Sequence, residues 1–136
     1  MVAPSPKTGT AAAMSRAVIR LAVALRAPAR GTGAVVHALR VLGSPTSLDP
    51  GCLGCHVWIE DEDQSLVRYE EAWVTEDGMR ARIRSHAFTR FLEVLESAPE
   101  APVIRFDFIG DRRGLDYVEE IRGADGPDPL GYWAPR

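Results

Sequence analysis

The feature that most constrains this chain is where two-residue alternation of apolar side chains stops and gives way to a helical period. Residues 17–26, AVIRLAVALR, set Ile19, Leu21, Val23 and Leu25 against Val18, Arg20, Ala22, Ala24 and Arg26. That is the pattern of a strand with two distinct faces. It returns at 52–60, where Leu53, Cys55, Val57 and Ile59 oppose Cys52, Gly54, His56, Trp58 and Glu60. In 65–75 it sets Val67, Tyr69, Glu71 and Trp73 against Leu66, Arg68, Glu70, Ala72 and Val74, and 102–109, PVIRFDFI, alternates again. Between the first two strands, Thr32 is placed to N-cap a helix with Val35, Leu39 and Leu42 on one stripe, ended by Pro45 and Pro50. Residues 76–97 are helical in two pieces. Met79 and Ile83 define one stripe and Phe88, Phe91, Leu92 and Leu95 another, about 140° away, so a break is expected near Ser85, a good N-cap. GLDYVEEIRG reads as a short C-terminal helix.

The order β-α-β-β-α-β is that of an α+β, ferredoxin-like split-βαβ sandwich. Right-handed crossovers place both helices on one face of the sheet. The apolar and aromatic faces of strands one, three and four suit the helices. The opposite faces mix Val18, Ala22, Ala24, Ala72, Val74, Val103 and Ile109 with Arg20, Arg68, Glu70, Arg105 and Asp107. Small apolar side chains among opposite charges suit a second sheet, so a homodimer joined sheet to sheet is expected; a solvated face is the alternative. At 136 residues there is room for one domain, expected over 16–112, with a helix at 113–123. Residues 1–15 read as a disordered tail and 124–136 as a flexible arm; Met14 is a second candidate start.

Charge narrows the partners. Sixteen basic against 19 acidic residues leave a net −3, with no basic excess for nucleic acid or an anionic membrane. The longest apolar run, Leu21 to Leu25, is far short of a membrane span. Arg16, Arg20 and Arg26 interrupt what would otherwise be a secretory core, so a cytoplasmic protein with free thiols is expected.

Cys52-Leu53-Gly54-Cys55-His56 spells CxxCH, the spacing of a covalent haem site or a redox dithiol. Unbroken alternation puts the two cysteines on opposite faces of the strand, where one porphyrin edge does not reach both, and a strand entry lacks the helix N-terminus that would activate a redox thiol. The expectation is a turn feeding a strand through small residues. His37, His56 and His86 lie on separate elements without a converging ligand set, so no metal site is expected. No Ser-His-Asp constellation, phosphate-binding glycine loop or GxGxxG is present.

PGCLGC at the start of strand two, YEEAW in strand three, MRARIRSHAFTRFLEVLE in the helices and APVIRF in strand four resemble one family in order and spacing. It is the antibiotic biosynthesis monooxygenase (ABM), or quinol-monooxygenase-like, family of the dimeric α+β-barrel group, and the likeness spans residues 17–110. The resemblance implies a ferredoxin-like fold, a dimer joined through its sheets and a pocket between sheet and helices. Characterised relatives oxidise quinols or polycyclic phenols with O2 and no cofactor; others degrade haem. One frame departs. Where the family often reads A-H-x-x-S, this chain has Ala81-Arg82-Ile83-Arg84-Ser85, with His86 after the serine.

Candidate site residues follow. Tyr69, Glu71 and Trp73 share the helix-covered face of strand three, either as aromatic core with one acid or as a pocket wall that stacks a planar ring. Glu71 among aromatics is either a general base or the partner of Arg82 or Arg84. Arg82 and His86, four apart, are placed to line a pocket mouth, where arginine would stabilise a phenolate and histidine relay a proton. The alternative is a solvated arginine-rich face. Trp58 belongs to the pocket or to the dimer seam. The first functional reading is a cofactor-independent monooxygenase for a quinol or other electron-rich aromatic. The second is a non-catalytic dimer that binds a small aromatic or haem.

Overall fold

The structure, a computed structural model, describes residues 18–124. The expected N-terminal tail, and all but the first residue of the expected arm, lie outside the described residues. The elements run β1 (Val18–Arg26), α1 (Thr32–Thr46), β2 (Cys52–Ile59), β3 (Leu66–Trp73), α2 (Glu76–Arg84), α3 (His86–Glu96), β4 (Val103–Ile109) and α4 (Leu115–Ala124). One sheet has the order β2-β3-β1-β4, every neighbour antiparallel. This is the ferredoxin-like α+β arrangement. The alternation is realised in β1 and β3, where every second residue is buried. Ile19, Leu21, Leu25, Val67 and Tyr69 pack under Leu39 of α1, Met79 of α2, and Phe88, Phe91 and Leu95 of α3. No helix of the described residues is long and apolar enough to cross a membrane.

Helix ends follow local chemistry, with two revisions. Thr32 heads α1 but does not cap it; Gly31 holds that position. The Thr32 hydroxyl instead donates to the Gln64 carbonyl at 3.0 Å, tying α1 to the β2–β3 connection. The helix also runs through Pro45 to Thr46. The missing N–H removes the helical bond to the carbonyl four residues back, at exposed Val41. Ser85 behaves as expected. Its Oγ accepts from Phe88 N at 3.2 Å and donates to Arg82 O at 2.6 Å, ending α2 and starting α3 in a new direction.

Two expectations about burial are corrected. In α2 the buried residues are Met79 and Arg82, while Ile83 is 41% exposed. Leaving a buried carboxylate of β3 without its cation costs more than exposing one isoleucine. In β4, Ile104, Phe106 and Phe108 register with Val23, Leu21 and Ile19 and so lie on the helix side. They are nevertheless exposed, because the helices cover the other three strands and stop short of this edge. Leu115, Tyr117, Val118 and Ile121 of α4 are exposed as well.

Candidate functional site

The site grows from the pleat of β3. Alternation turns Tyr69, Glu71 and Trp73 to the same side, and α2 and α3 close over them. Glu71 is 1% exposed. Its Oε1 accepts from the Tyr69 hydroxyl at 2.5 Å and its Oε2 from Trp73 Nε1 at 2.9 Å. Arg82 completes the shell, with Nε 3.0 Å from Oε2 and Nη2 3.1 Å from Oε1. The ion pair is fully enclosed.

Electrostatics follow from that enclosure. Desolvation works to lower Arg82, but the Glu71 hydrogen bond and charge outweigh it and hold the guanidinium above its ordinary value. Burial, then the adjacent Glu71 charge, push the Tyr69 phenol far up, so it stays protonated. Arg82 Nη1 has no hydrogen-bond partner among the described residues. The guanidinium carbon does sit 5.1 Å from the Phe88 ring centroid and 5.6 Å from that of Phe91, close enough for cation–π attraction.

Beyond Tyr69, between α1 and β2, lies a cavity of about 220 Å³. Arg40, Gly43 and Ser44 of α1, residues 55–57 of β2, and Tyr69 line it. Gly43 keeps the hydroxyl end of Tyr69 clear. A Cβ there would stand 3.5 Å from the Tyr69 oxygen and 3.4 Å from Cys55 Cβ. The Tyr69 side chain is itself wholly buried, its proton committed to Glu71 and its hydroxyl in contact with Cys55, so it forms the floor beneath the cavity.

The second strand corrects the placement of the cysteines. Register slips between Cys52 and Gly54, and Gly54 has φ +148°, in the region that favours glycine. The extra residue of this β-bulge reverses the phase of alternation. Cys52 therefore lies opposite Trp73 and Cys55 opposite Glu71, both on the helix side, with their sulfurs 3.9 Å apart. Leu53, expected on the face of Cys55, is 52% exposed. Burial first of all pushes the Cys55 thiol up to about 12, against a smaller opposing effect of the Tyr69 hydroxyl.

Of the sequence candidates, Glu71, Arg82, Tyr69 and Trp73 come together. His86 does not; it is exposed at the start of α3. Trp58 is also elsewhere. It pairs with Arg68 on the helix-free side and borders a shallow depression with Ala22, Ala24, Arg68 and Val103. Sequence reasoning missed Gly43, Arg40, Ser44 and Cys55 as cavity wall. The available signal was a glycine inside an amphipathic helix, which weakens the helix unless something packs close.

An antiparallel sheet with helices on one side and a buried acid–aromatic–arginine cluster beside a small cavity defines a ferredoxin-like α+β domain. Solved structures place it further: the fold is the ABM-like one. A crystal structure of an antibiotic biosynthesis monooxygenase matches over 71% of this chain and 99% of its own, at 15% identity and TM-score 0.58. A Deinococcus radiodurans protein, named as a candidate antibiotic biosynthesis monooxygenase, matches over 71% and 96%, at 16% identity and TM-score 0.64. A Pseudomonas aeruginosa protein matches over 74% and 98%, at 23% identity and TM-score 0.60. No family model and no curated protein matches the sequence. The likeness at these identities is one of fold.

Proposed function

We propose that this chain is a cofactor-independent monooxygenase of the ABM type, acting on a single-ring quinol bound against Tyr69 between α1 and β2. The observation that carries the reading is the 2.5 Å bond from the Tyr69 hydroxyl to buried Glu71, beside a cavity. Size selects the ligand. A cavity of ~150 Å³ admits benzene, whereas drug-sized ligands occupy ~300–1,000 Å³. About 220 Å³ accommodates one ring.

The chemistry needs little from the protein. The Cys55 side chain turns away from the buried Tyr69 hydroxyl as the quinol enters. A quinol hydroxyl then donates to the Tyr69 oxygen, and the Tyr69 proton shifts toward Glu71 as the quinol ionises. The phenolate, a stronger donor, passes one electron to O2, and the radical pair recombines on a ring carbon. Loss of water completes the balance: quinol plus O2 gives hydroxyquinone plus water. Arg82 acts through Glu71 by stabilising the charge behind the relay, and Trp73 orients the carboxylate. In this scheme Glu71 and Arg82 are positioning residues and Tyr69 is the contact. His86 and Trp58 have no part in it.

The homodimer through the open sheet face belongs to the same proposal. What supports it is the mixture of Ala22, Ala24, Trp58 and Val103 with the ion pairs Arg68–Glu60 and Arg105–Asp107 on that side.

A second reading has its own support. A carboxylate whose oxygens already accept from four donors has little lone-pair capacity left for a substrate's proton, which favours non-catalytic binding of a small aromatic in the same cavity. Oxygen uptake by metal-stripped protein with a panel of hydroquinones separates the two. The monooxygenase should consume O2 above a denatured-protein blank, and Tyr69→Phe should lose about 10²-fold or more in rate. Tryptophan quenching by the same ligands without O2 uptake would replace the first reading with the second.

A further inference from the structure

We propose that Cys52 and Cys55 are a disulfide-forming pair in the folded chain, a modification site oxidised by hydroperoxides at the wall of the cavity. The bulge makes the pair. Without it the two side chains would leave opposite faces of β2; with it both lie on the helix side, 3.9 Å apart at sulfur. A disulfide needs ~2.05 Å, so the sulfurs must approach by rotation of the side chains and adjustment of the bulged backbone between them. Between the two cysteines the ladder is interrupted and Gly54 carries no side chain, so this backbone can adjust without breaking a regular pairing.

The two thiols have unequal surroundings, and that sets the order of events. Cys55 sits on the cavity wall beneath Gly43 and interacts with the Tyr69 hydroxyl, and its burial keeps it protonated. Cys52 lies at the strand entry, directly after the Asp49–Gly51 turn. As thiolate it attacks the outer oxygen of a hydroperoxide ROOH, breaking the O–O bond; the sulfur is oxidised to sulfenic acid and ROH leaves. The Cys55 sulfur then displaces hydroxide from that sulfenic acid, and its own proton departs with the hydroxide as water. Two thiols plus ROOH give one disulfide, ROH and water. Closure draws the Cys55 sulfur toward Cys52 and reshapes the wall beside Tyr69. The pairing itself does not depend on the cavity being catalytic.

The test uses the full-length native protein. It is treated with hydrogen peroxide, quenched, denatured, labelled with a maleimide and digested. The peptide carrying both cysteines is expected unlabelled and lighter by about 2 Da, two hydrogens, and to recover both labels after dithiothreitol. Cys55→Ser, near-isosteric, should give a Cys52 oxyacid instead of that species, and Cys52→Ser should leave Cys55 as a thiol that still takes the label. Gly54→Val, which forbids the bulge conformation, should lower the disulfide yield about tenfold with both thiols present. Phenylarsine oxide, a dithiol bridge, should bind the reduced native protein one to one and neither serine variant. Two labels per chain after peroxide, sulfinic acids alone, or equal closure rates in urea and in buffer would each overturn the proposal.

Discussion

Glu71 receives hydrogen bonds from the Tyr69 hydroxyl, the Trp73 indole and two nitrogens of Arg82, all inside the core. A carboxylate so placed stabilises the fold only while its cation is present. Replacing Glu71 by Gln leaves the Arg82 charge buried without compensation, which should cost about 3–5 kcal/mol in urea denaturation. The double replacement Glu71→Leu with Arg82→Met removes both charges and should be milder than either single change. A Glu71→Gln protein within ~1 kcal/mol of wild type would mean the pair is solvated, as surface pairs are. The sequence narrowed the partner of Glu71 to Arg82 or Arg84. Which one was not legible there, because it depends on how α2 is rotated about its own axis.

Among the elements, α1 and β2 shape the cavity wall, each through one glycine. Gly43 stands in the helix interior, where alanine is favoured by about 1 kcal/mol. Its added methyl would meet Cys55 and Tyr69 at ordinary contact distance. Gly43→Ala should therefore raise the urea midpoint while narrowing the cavity, weakening quinol binding by roughly tenfold, as expected where a pocket loses room for a methyl-sized group. A stabilised protein with unchanged affinity would remove this cavity from the proposed function. Gly54 shows the limit of counting residues. One bulge reversed the phase at the start of β2, whereas the unbulged β1 and β3 followed their alternation throughout.

At the scale of the molecule, two apolar surfaces are left over. Ile104, Phe106 and Phe108 lie bare on the helix side of β4, and α4 exposes Leu115, Val118 and Ile121. The opposite sheet face offers Ala22, Ala24 and Trp58 among paired charges. Such surfaces point to association. Sedimentation at micromolar concentration should give twice the chain mass. Ala24→Glu, at the middle of the open face between Arg68 and Val103, should give monomers with an unchanged circular dichroism spectrum. A wild-type monomer would rule out the sheet-to-sheet dimer.

Side-chain periodicity and breakers determined the element order and, with it, the ferredoxin-like topology, because strands and helices advertise themselves within a few residues. They also brought Tyr69, Glu71 and Trp73 to one face, since a strand repeats every two positions. Only the tertiary structure decided what meets across elements. It chose Arg82 over Arg84, sent His86 to the surface and Trp58 to the far side of the sheet, and placed Gly43 over Tyr69. It also brought Cys52 and Cys55 together. Helix rotation, strand order and a bulge set these contacts, and each answers to packing of the whole core, which no local window of residues contains.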